Sequence, residues 1–475
     1  MTNPLAPEWL KEPKNLNDLD HKIWPSNISR NKYGEAQISG VAVSELSAQF
    51  GTPLYVIDEA HFKAQAIRVR SALQAAADSI GTKAKVYYAA KAFLCTEVAS
   101  WLGEVGLNLD VASGGELAAG LAGGVDAANI GVHGNNKSLA EIGRAVAAGV
   151  GAIVIDSEIE LERIASTAQA QDKVQNVRIR VNAGVHAHTH EYLATAREDQ
   201  KFGIARQDVP ALVARIRADA HLNFLGIHSH IGSQIFEADG FVEAARRLIA
   251  VHAELLKSGP VPELNLGGGF GINYTSADNA PEIETLAFKI AEAVKIACAE
   301  EGIDIPLLAF EPGRAIAGQA GITLYTVGTI KDVQVTDGAS PAVRKYVSVD
   351  GGMSDNARPS LYEADYQTRL VSRTSDHDAA LVRVVGKHCE SGDIVVRADY
   401  LPSDISNNDI IAVAATGAYC YSLSSNYNFL TRPPVVAVQG GQARLIVRGE
   451  TEADLFVRDV RFQEQQKNLP KNGKE

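Results

Sequence analysis

The chain has 475 residues, 46% of them hydrophobic and 21% charged, which is enough for two domains with cores of their own. Its formal net charge is −12, it has no Lys/Arg cluster and no run of about 18 apolar residues, and its four cysteines lack zinc-type spacing. Because the N-terminus also lacks the apolar core of a signal peptide, we expect a cytoplasmic protein without metal, nucleic-acid or membrane partners.

The N-terminal segment, residues 1–52, shows a strand signal at EAQISGVAV, and a second follows at PLYVID, residues 53–58. From residue 85, short apolar runs alternate with Ala-rich segments of helical spacing. The eight runs are residues 85–91, 107–113, 129–134, 152–157, 177–182, 224–233, 263–269 and 307–314. This alternation predicts the α/β class and a (β/α)₈ TIM barrel over residues 53–317. An open doubly wound sheet is the alternative, but eight parallel strands close more naturally into a barrel.

After residue 318 the pattern changes to strand runs separated by turn signals, with almost no helix. We therefore expect residues 318–475 to form a C-terminal all-β domain, β-barrel or Greek-key-like. The two N-terminal strand signals are surplus to the barrel, and we expect them to pack with this β domain. The polar end of the chain is expected to be frayed.

Polar side chains recur where the predicted barrel strands end, which is where barrel enzymes place their active sites. These residues are Lys91, Asp110, His133, Asp156, Asn182, His230, Gly267, Gly268, Gly269, Glu311 and Arg314. A lysine partly desolvated in a barrel mouth can form a Schiff base, although Lys91 could equally extend its ammonium group to solvent.

The Gly267–Gly269 turn follows the seventh strand, where barrels often bind phosphate, and Ser233 and Arg314 could complete such a site. A tight turn that needs positive φ would explain the glycines equally well. A carboxylate at Glu311 could keep a pyridine nitrogen protonated, or could form a structural ion pair with Arg314.

The histidines raise the alternative of a metal-dependent hydrolase. His228 and His230 are two residues apart on one strand, and His186, His188 and His190 form an HxHxH run. The histidine pair is not on the first strand, where such hydrolases usually carry it, and a lysine stands there instead. We therefore predict no metal site, and His230 can instead lie against an aromatic cofactor.

Ten motifs occur in the order found in the fold-type III pyridoxal-phosphate decarboxylases, whose barrel is alanine racemase-like. They are YYAAK, LDVASGGEL, HGNNK, EDQKFG, HSHIGSQ, LNLGGGFG, EPGR, DGGMSDNARPSLY, CESGD and GAYCYS. The chain resembles this family from about Gly51 to about Asn428, and HGNNK, HIGSQ and CESGD resemble its diaminopimelate branch. The resemblance implies decarboxylation of meso-2,6-diaminopimelate to L-lysine and CO₂, the last step of lysine biosynthesis, with pyridoxal 5′-phosphate as cofactor.

The resemblance also implies roles for individual residues. Lys91 would hold the cofactor covalently, His230 would stack on its ring, and Glu311 would bond the ring nitrogen. Asp110 and Glu116 would support these groups. The phosphate would be bound by Ser233, Gly267, Gly268, Gly269 and Tyr419, with Arg314 contacting phosphate or a substrate carboxylate.

At the substrate, the resemblance implies that Arg358 and Tyr362 read the distal end, with Tyr419 nearby. Cys389, near the α-carbon, and Glu390, on the distal ammonium, would come from the partner subunit of an obligate homodimer with shared active sites. The distal end of diaminopimelate is a zwitterion, so its recognition needs a cation and an anion, which Arg358 and Glu390 supply. A diamine-forming enzyme would gain nothing from Arg358.

Three rival functions stay open at this point. They are an ornithine- or arginine-type decarboxylase of the same family, an amino-acid racemase, and a non-catalytic cofactor-binding protein. Racemases of this fold type lack the CESGD loop, and Lys91, Glu311 and Cys389 together argue against a non-catalytic protein. The chain departs from the family pattern at Cys420, at Thr195–Ala196 and at Tyr366.

Overall fold

The computed structural model of the chain describes residues 3–185, 201–337 and 340–468. These residues form two compact units. The β unit contains the residues up to Glu59, Tyr274–Ser276 and the residues from Gly321 onward, and the barrel unit contains Ala60–Asn273 and Ala277–Ala320. The boundaries expected from the sequence, after residues 52 and 317, fall a few residues before these divisions.

The β unit begins with short strands and one helix. They are β1 (Ile28–Arg30), β2 (Ala36–Ile38), β3 (Val41–Ala42), α1 (Val43–Phe50) and β4 (Leu54–Asp58). Strands β1 to β3 form a small antiparallel sheet of their own. All five residues of β4 are buried, as expected for a strand inside a sheet.

The barrel unit alternates strands and helices throughout. Its helices are α2 (Glu59–Ser79), α3 (Thr96–Glu104), α4 (Gly114–Ala122), α5 (Leu139–Ala148), α6 (Glu158–Ala170), α7 (Val209–Ala218), α8 (Asp239–Leu256), α9 (Ile283–Glu301) and α10 (Arg314–Ala317). Its strands are β5 (Ala84–Ala89), β6 (Asn108–Val111), β7 (Ile130–Val132), β8 (Ala152–Ile155), β9 (Gln175–Asn182), β10 (Ile204–Ala205), β11 (Leu222–His228), β12 (Glu263–Asn265) and β13 (Leu307–Phe310).

Eight of these strands close into a parallel ring in the order β5-β6-β7-β8-β9-β11-β12-β13, and β10 adds to β9 outside it. The closing pair is β13 with β5, where Phe310 lies opposite Val86. The predicted (β/α)₈ barrel is therefore confirmed, and each predicted apolar run supplies one strand. The run at 152–155 is buried along its whole length because both faces of a barrel strand are covered.

Local sequence signals set the ends of the helices. Helix α5 begins at a capping box in which Ser138 and Glu141 bond each other's backbone N–H groups. It ends at Gly149, whose φ of 73° is left-handed and suits a residue without a side chain. These caps fix where the loop after β7 turns back, and that loop carries residues of the barrel mouth.

The remainder of the β unit is mostly sheet. Its elements are β14 (Gly321–Asp337), β15 (Ser340–Val349), α11 (Arg358–Tyr362), β16 (Thr368–Leu370), β17 (Ala379–Val385), β18 (Ile394–Pro402), β19 (Ile410–Val413), β20 (Val435–Gln439), β21 (Gln442–Val447), α12 (Glu452–Leu455) and α13 (Val460–Asn468). The separate sheet domain predicted from the sequence is confirmed.

The long strand β14 organises this sheet. The main strand order is β18-β17-β15-β14-β4-β20-β21, and β19 pairs with both β14 and β16. Strand β4, predicted at residues 53–58, pairs antiparallel with β14 and parallel with β20. The strands around EAQISGVAV stay in the small sheet instead, and they share a core with the large one through Ile38, Val41 and Ile322.

Two features of the β unit differ from the sequence-based expectation. The short helices α11, α12 and α13 were not expected after residue 318, and part of the chain end expected to be frayed lies in α13. Short helices of this kind depend on tertiary packing more than on propensity, so sequence periodicity does not reveal them. Among the described helices, none combines the length and the apolar character needed to cross a membrane.

Candidate active site

A cavity of about 170 Å³ lies at the C-terminal ends of the barrel strands. Its lining is rich in titratable groups. The ionisable side chains that line it are Lys91, Asp110, Glu116, His133, Arg180, His228, His230 and Glu311. This is the face on which TIM barrels carry active sites, so the cavity is the candidate active site.

Lys91 lies two residues beyond β5 at the rim of this cavity, and its side chain is exposed. Of the two possibilities left open for Lys91, the one in which its side chain extends to solvent matches this exposed position. The residue sits where the chain turns away from the strand, so its long side chain faces the open mouth. An exposed primary amine at the mouth is accessible to an aldehyde from solvent.

Glu311, directly after β13, is the most densely bonded carboxylate of the site. Its Oε1 accepts a hydrogen bond from Asn265 Nδ2 at 2.6 Å, and its Oε2 lies 3.1 Å from His228 Nε2. His133 Nε2 approaches Oε1 to 3.3 Å. Burial alone would raise the pKa of Glu311, but His228 and His133 lower it well below its usual value.

The two histidines beside Glu311 carry different charges at neutral pH. Burial lowers the pKa of His228 to about 4, so its imidazole is neutral. Burial also opposes protonation of His133, but the carboxylates of Asp110 and Glu311 outweigh it and raise the pKa of His133 to about 9. His133 Nε2 is 2.6 Å from Asp110 Oδ1. The His133 imidazolium is therefore the cation that keeps Glu311 ionised.

The Gly267–Gly269 turn is shaped for close approach of the backbone. Gly267 and Gly269 have φ values of 69° and 116°, which side chains rarely adopt. A Cβ on Gly268 would overlap the carbonyl oxygen of Glu311, and one on Gly269 would overlap that of Gly232. The turn therefore needs glycine for space as well as for conformation.

His230, Ser233 and Arg314 border this turn. The Gly268 N–H donates to His230 Nδ1 at 3.2 Å, which leaves Nε2 as the protonated nitrogen of a neutral ring. Burial, followed by the charges of Lys91 and Arg180, lowers the pKa of His230 well below its usual value. Arg314 Nη2 donates to Ser233 Oγ at 2.8 Å, so a guanidinium and a hydroxyl lie side by side. This pair is suited to a phosphate.

The donor set fits pyridoxal phosphate. An accessible amine matches its aldehyde, a buried ionised carboxylate matches its ring nitrogen, and a cation beside a hydroxyl and a glycine turn matches its phosphate. The glycine turn supports this match because each of its residues needs to lack a side chain: a Cβ would meet the carbonyl oxygen of Ser229 at Gly267, of Glu311 at Gly268 and of Gly232 at Gly269. Among the predicted residues, those that the barrel unit brings to this mouth are Lys91, Asp110, Glu116, His133, His230, Ser233, Gly267, Gly268, Gly269, Glu311 and Arg314.

The remaining predicted residues lie in the β unit. Arg358, at the start of α11, is buried and donates a hydrogen bond to the hydroxyl of Tyr366. Its guanidinium lies over the ring of Tyr274, 4.8 Å from the centroid, and 5.9 Å from that of Tyr419. Tyr362, at the end of α11, is half-buried. Arg358 is thus a buried cation within a group of tyrosines.

Two departures from the family pattern meet beside Arg358. The hydroxyl of Tyr366 accepts from Arg358 and lies 3.7 Å from Cys420 Sγ. The neighbouring tyrosines Tyr274 and Tyr366 raise the pKa of Arg358 against the effect of burial. The third departure, Thr195–Ala196, lies outside the described residues. Tyr366 therefore contacts Arg358 directly, and Cys420 contacts Tyr366.

Cys389 and Glu390 lie together in the loop between β17 and β18, and both are exposed. The base of this loop is held by Asp393, whose Oδ2 accepts from the backbone N–H of His388 at 2.8 Å. Ser360 Oγ donates to the carbonyl of Gly392 at 2.7 Å, which ties α11 to the loop. Arg358 and Tyr362 thus belong to the same local structure as Cys389 and Glu390.

A metal-capable group exists, but it is not the one considered from the sequence. Among the residues that the structure describes, His133, His228 and Glu311 have potential ligand atoms within 4.8 Å of one another. His230 is outside this group, and its Nδ1 accepts a hydrogen bond from the Gly268 N–H. His186, His188 and His190 lie outside the described residues. The Nε2 atoms of His133 and His228 both lie close to the carboxylate oxygens of Glu311, and these direct contacts are enough to bring the three residues together without an ion.

Sequence reasoning missed Arg180 and gave His133 no specific role in the site. Arg180 is 8% exposed, and its guanidinium lies 4.2 Å from the centroid of the Phe202 ring. His133 was noted only as a strand-end residue. The alternation in VRIRVN puts Arg178 and Arg180 on one face of β9, a signal that could have marked Arg180 as an interior cation.

Comparisons with known proteins point to one family. A family model described as the pyridoxal binding domain of pyridoxal-dependent decarboxylases matches residues 65–318. The chain is 50% identical over 464 residues to the diaminopimelate decarboxylase of Mycobacterium leprae, covering 96% of each chain. It is 41% identical over 437 residues to that of Bacillus subtilis, covering 91% of this chain and 97% of the relative.

Solved structures give the same relationship. The diaminopimelate decarboxylase of M. jannaschii, crystallised with L-lysine, superposes with a TM-score of 0.83 at 31% identity, covering 92% of this chain and 98% of that one. The lysine/ornithine decarboxylase of Vibrio vulnificus, at 21% identity and a TM-score of 0.68, shares the fold. The chain therefore belongs to the diaminopimelate decarboxylases, a branch of the pyridoxal-dependent decarboxylase family.

Proposed function

We propose that the chain decarboxylates meso-2,6-diaminopimelate to L-lysine and CO₂, the last step of lysine biosynthesis, in the cytoplasm. The observation that carries this assignment is the 50% identity to a diaminopimelate decarboxylase over 96% of both chains. When bound, pyridoxal phosphate supplies an electron sink for the electron pair left by the departing carboxylate. The residues of the chain bind the cofactor, orient the substrate and hold the protons that this chemistry needs.

In this proposal the barrel mouth holds the cofactor. Lys91 supplies the amine that binds its aldehyde, and His230 lies against its ring. Glu311 keeps the ring nitrogen protonated, because its carboxylate stays ionised beside the His133 imidazolium. Asp110 supports this by holding His133 at 2.6 Å. A protonated ring accepts electrons far better than a neutral one, so the charge on Glu311 matters directly for rate.

The phosphate end is assigned to the glycine turn and its neighbours. Ser233 and Arg314 already share a hydrogen bond, so two side chains are oriented before an anion arrives. We assign Gly267, Gly268, Gly269 and Tyr419 to the same phosphate, and Glu116 to a supporting role. Arg314 is also a candidate contact for a substrate carboxylate.

Substrate selection is assigned to the β unit. Arg358 is a permanent cation and suits the distal carboxylate, with Tyr362 and Tyr419 beside it. Glu390 suits the distal ammonium. Together they complement a zwitterion, whereas ornithine or lysine would present only an ammonium and would leave Arg358 without an anion. Cys389 would hold a proton near the α-carbon after CO₂ leaves.

We further propose a homodimer with shared active sites. Cys389 and Glu390 are exposed on the chain by itself, and several large apolar side chains of the same unit are exposed too. These are Leu361, Leu423, Tyr427, Phe429, Val457 and Val460. Exposed apolar residues of this size are typical of a subunit interface. In functional terms we divide the chain into the N-terminal segment 1–52, the cofactor-binding barrel that ends at residue 317 and the β domain 318–475, with β4 (Leu54–Asp58) counted in the β domain because it pairs with β14 and β20.

The shared site can be tested by mixing two inactive homodimers, Lys91→Ala and Cys389→Ala. In a mixed dimer one site carries both changes and the other carries neither. With equal amounts and random exchange, half of the dimers are mixed, so about a quarter of the wild-type activity should return. Exchange is checked first by mild denaturant and size analysis. If exchange occurs and no activity returns, the two residues do not act in one shared site.

The function itself is tested by supplying the cofactor-loaded protein with meso-diaminopimelate and measuring both products. We expect CO₂ and L-lysine in equal amounts, and neither product from Lys91→Ala. Borohydride treatment should abolish the long-wavelength absorbance of the wild-type protein. Conversion of the amino acid to its stereoisomer without CO₂ would instead indicate a racemase and would overturn the proposal.

A further inference from the structure

The loop that carries Cys389 and Glu390 is held by a strained turn at residues 426–429. Asn428 and Phe429 have φ values of 52° and 61°, both in the left-handed region. Asparagine tolerates this conformation, but it is uncommon for a bulky side chain such as phenylalanine. Phe429 is 63% exposed in the single chain, so packing within the chain does not bury its ring. Strain of this kind usually serves a contact made elsewhere.

The turn makes three contacts with the loop. The Asn428 Oδ1 accepts from the backbone N–H of Cys389 at 3.0 Å. The Tyr427 ring stacks on His388, with centroids 5.6 Å apart and planes 9° from parallel. The Tyr427 hydroxyl donates to Glu390 Oε2 at 3.3 Å. Consecutive residues of the turn therefore hold three consecutive residues of the loop.

Two of these contacts hold Cys389 and Glu390, which lie beyond the residue that Asp393 holds at the base of the loop. Asp393 fixes His388 through its backbone N–H at 2.8 Å and its Nδ1 at 3.0 Å. The other oxygen of Glu390, Oε1, accepts only from within the loop, from Ser391 Oγ at 3.3 Å and the Gly392 N–H at 3.4 Å. Of these three hydrogen bonds to the Glu390 carboxylate, the one from Tyr427 originates outside the loop.

From this geometry we propose that Tyr427 and Asn428 are positioning residues that set the orientation of Cys389 and Glu390 for the distal end of the substrate. The inference rests on the proposed role of Glu390. Tyr427 binds one oxygen of the Glu390 carboxylate, and the other oxygen accepts from donors within the loop. Asn428 binds the backbone from which the side chains of Cys389 and Glu390 project. The Gly392 amide, Ser391 and Tyr427 together lower the pKa of Glu390, so the positioned group is a carboxylate.

The test uses the cofactor-loaded enzyme and separates binding from turnover. Tyr427→Phe keeps the ring on His388 and removes the hydroxyl. We expect KM for meso-diaminopimelate to rise about 3- to 10-fold with kcat within about 2-fold, because one hydrogen bond to a charged group is lost. Glu390→Gln should raise KM further. The double variant should be no worse than Glu390→Gln, because the hydroxyl then has no carboxylate to orient.

The outcomes separate the two hypotheses. If Glu390→Gln raises KM but Tyr427→Phe behaves as wild type, or if the two effects multiply, the positioning role is wrong and the proposed function stands. If Glu390→Gln leaves KM unchanged, the assignment of Glu390 itself fails, and the positioning role fails with it. Tyr33→Phe, at an exposed tyrosine of the turn between β1 and β2, is the matched control and should leave both constants unchanged.

Asn428 gives a second readout that does not depend on activity. Asn428→Gly keeps the left-handed conformation and removes the amide oxygen, so the Cys389 N–H loses its acceptor. Amide hydrogen exchange of a peptide spanning residues 386–394 should become faster in this variant. Asn428→Asp keeps an acceptor and should exchange at the wild-type rate. Equal exchange in all three proteins would show that Asn428 does not hold the loop.

Discussion

Replacing Lys137 with Met should lower the free energy of unfolding by about 3–5 kcal/mol, the usual cost of breaking a buried ion pair. Lys137 and Glu160 have side chains that are each 3% exposed, with Nζ 2.9 Å from Oε2. Nζ also donates to the carbonyl oxygens of Gly134 and Val154, both at 2.7 Å. The change therefore leaves one carboxylate and two carbonyl groups short of a donor.

The magnitude follows from these three groups. Each buried carbonyl that loses a donor costs about 1 kcal/mol, and a buried carboxylate costs about 1–3 kcal/mol. Burial lowers the pKa of Lys137 while Glu160 raises it, so the pair depends on both charges. Changing Glu160 to Gln in the Lys137→Met protein should recover about half of the lost stability. The Glu160 carboxylate accepts from the Asp156 N–H at 2.8 Å, and an uncharged amide in its place can still accept that bond.

The assay is urea unfolding of the cofactor-free protein at pH 7 and one fixed protein concentration, since subunit association affects apparent stability. Lys295→Met, which removes an exposed cation 3.9 Å from Glu292, is the control and should change stability by less than about 0.5 kcal/mol. A loss below about 1 kcal/mol for Lys137→Met, or no recovery in the double variant, would refute the argument.

Three further predictions concern the site and its surroundings. Gly268→Ala should weaken cofactor binding at least about 100-fold in an absorbance titration of the apoprotein, because its Cβ would overlap the Glu311 carbonyl oxygen; wild-type affinity would contradict this. Glu311→Gln should slow single-turnover decarboxylation by orders of magnitude, and an unchanged rate would remove it from its role. Burial lowers the pKa of His252 to about 4, below the unfolded value of 6.5, so the stability it contributes is present above pH 6.5 and lost as pH falls through 4. Between pH 7 and 4 the wild type should lose about 3 kcal/mol more than His252→Leu in urea unfolding, and parallel losses would show that His252 does not titrate as a buried neutral group.

The barrel could be predicted because each of its strands is an apolar run followed by a helical segment. Residues 152–155, for example, are buried on both sides, and their sequence AIVI contains no polar residue. The glycines at 267–269 were recognisable for the same local reason, since few other residues suit a turn directly after a strand. Such features depend on residues that are close together in the sequence, so one sequence is enough to reveal them.

The convergence of His133, His228 and Glu311 could not be predicted in the same way. Alternation along β11 shows that His228 can face the interior. Its level along the barrel axis, and so which residues of other strands it meets, depends on the tilt and stagger of the strands. For that reason the sequence paired His228 with His230, whereas the structure pairs it with Glu311. The pKa of about 9 for His133 follows from that convergence and from nothing local to HGNNK.

The β unit was predictable as strands but not as an arrangement. The contact between Tyr427 and Glu390 joins residues 37 positions apart through a turn that contains no glycine and no proline. The asparagines at 426 and 428 can mark a turn, but they do not show that it would contact the loop of Glu390. The pairing of β4 with both β14 and β20 is similarly non-local, and sequence alone gave only its strand character.

The central claim is that this chain selects the zwitterionic distal end of meso-diaminopimelate. The most direct measurement is kcat/KM for CO₂ release by the cofactor-loaded enzyme, compared between meso-diaminopimelate, L-lysine, L-ornithine and L-arginine under one set of conditions. Because the other substrates lack the distal carboxylate and leave Arg358 without its anion, we expect meso-diaminopimelate to be favoured at least about 100-fold. Comparable or greater values for L-lysine or L-ornithine would contradict the claim.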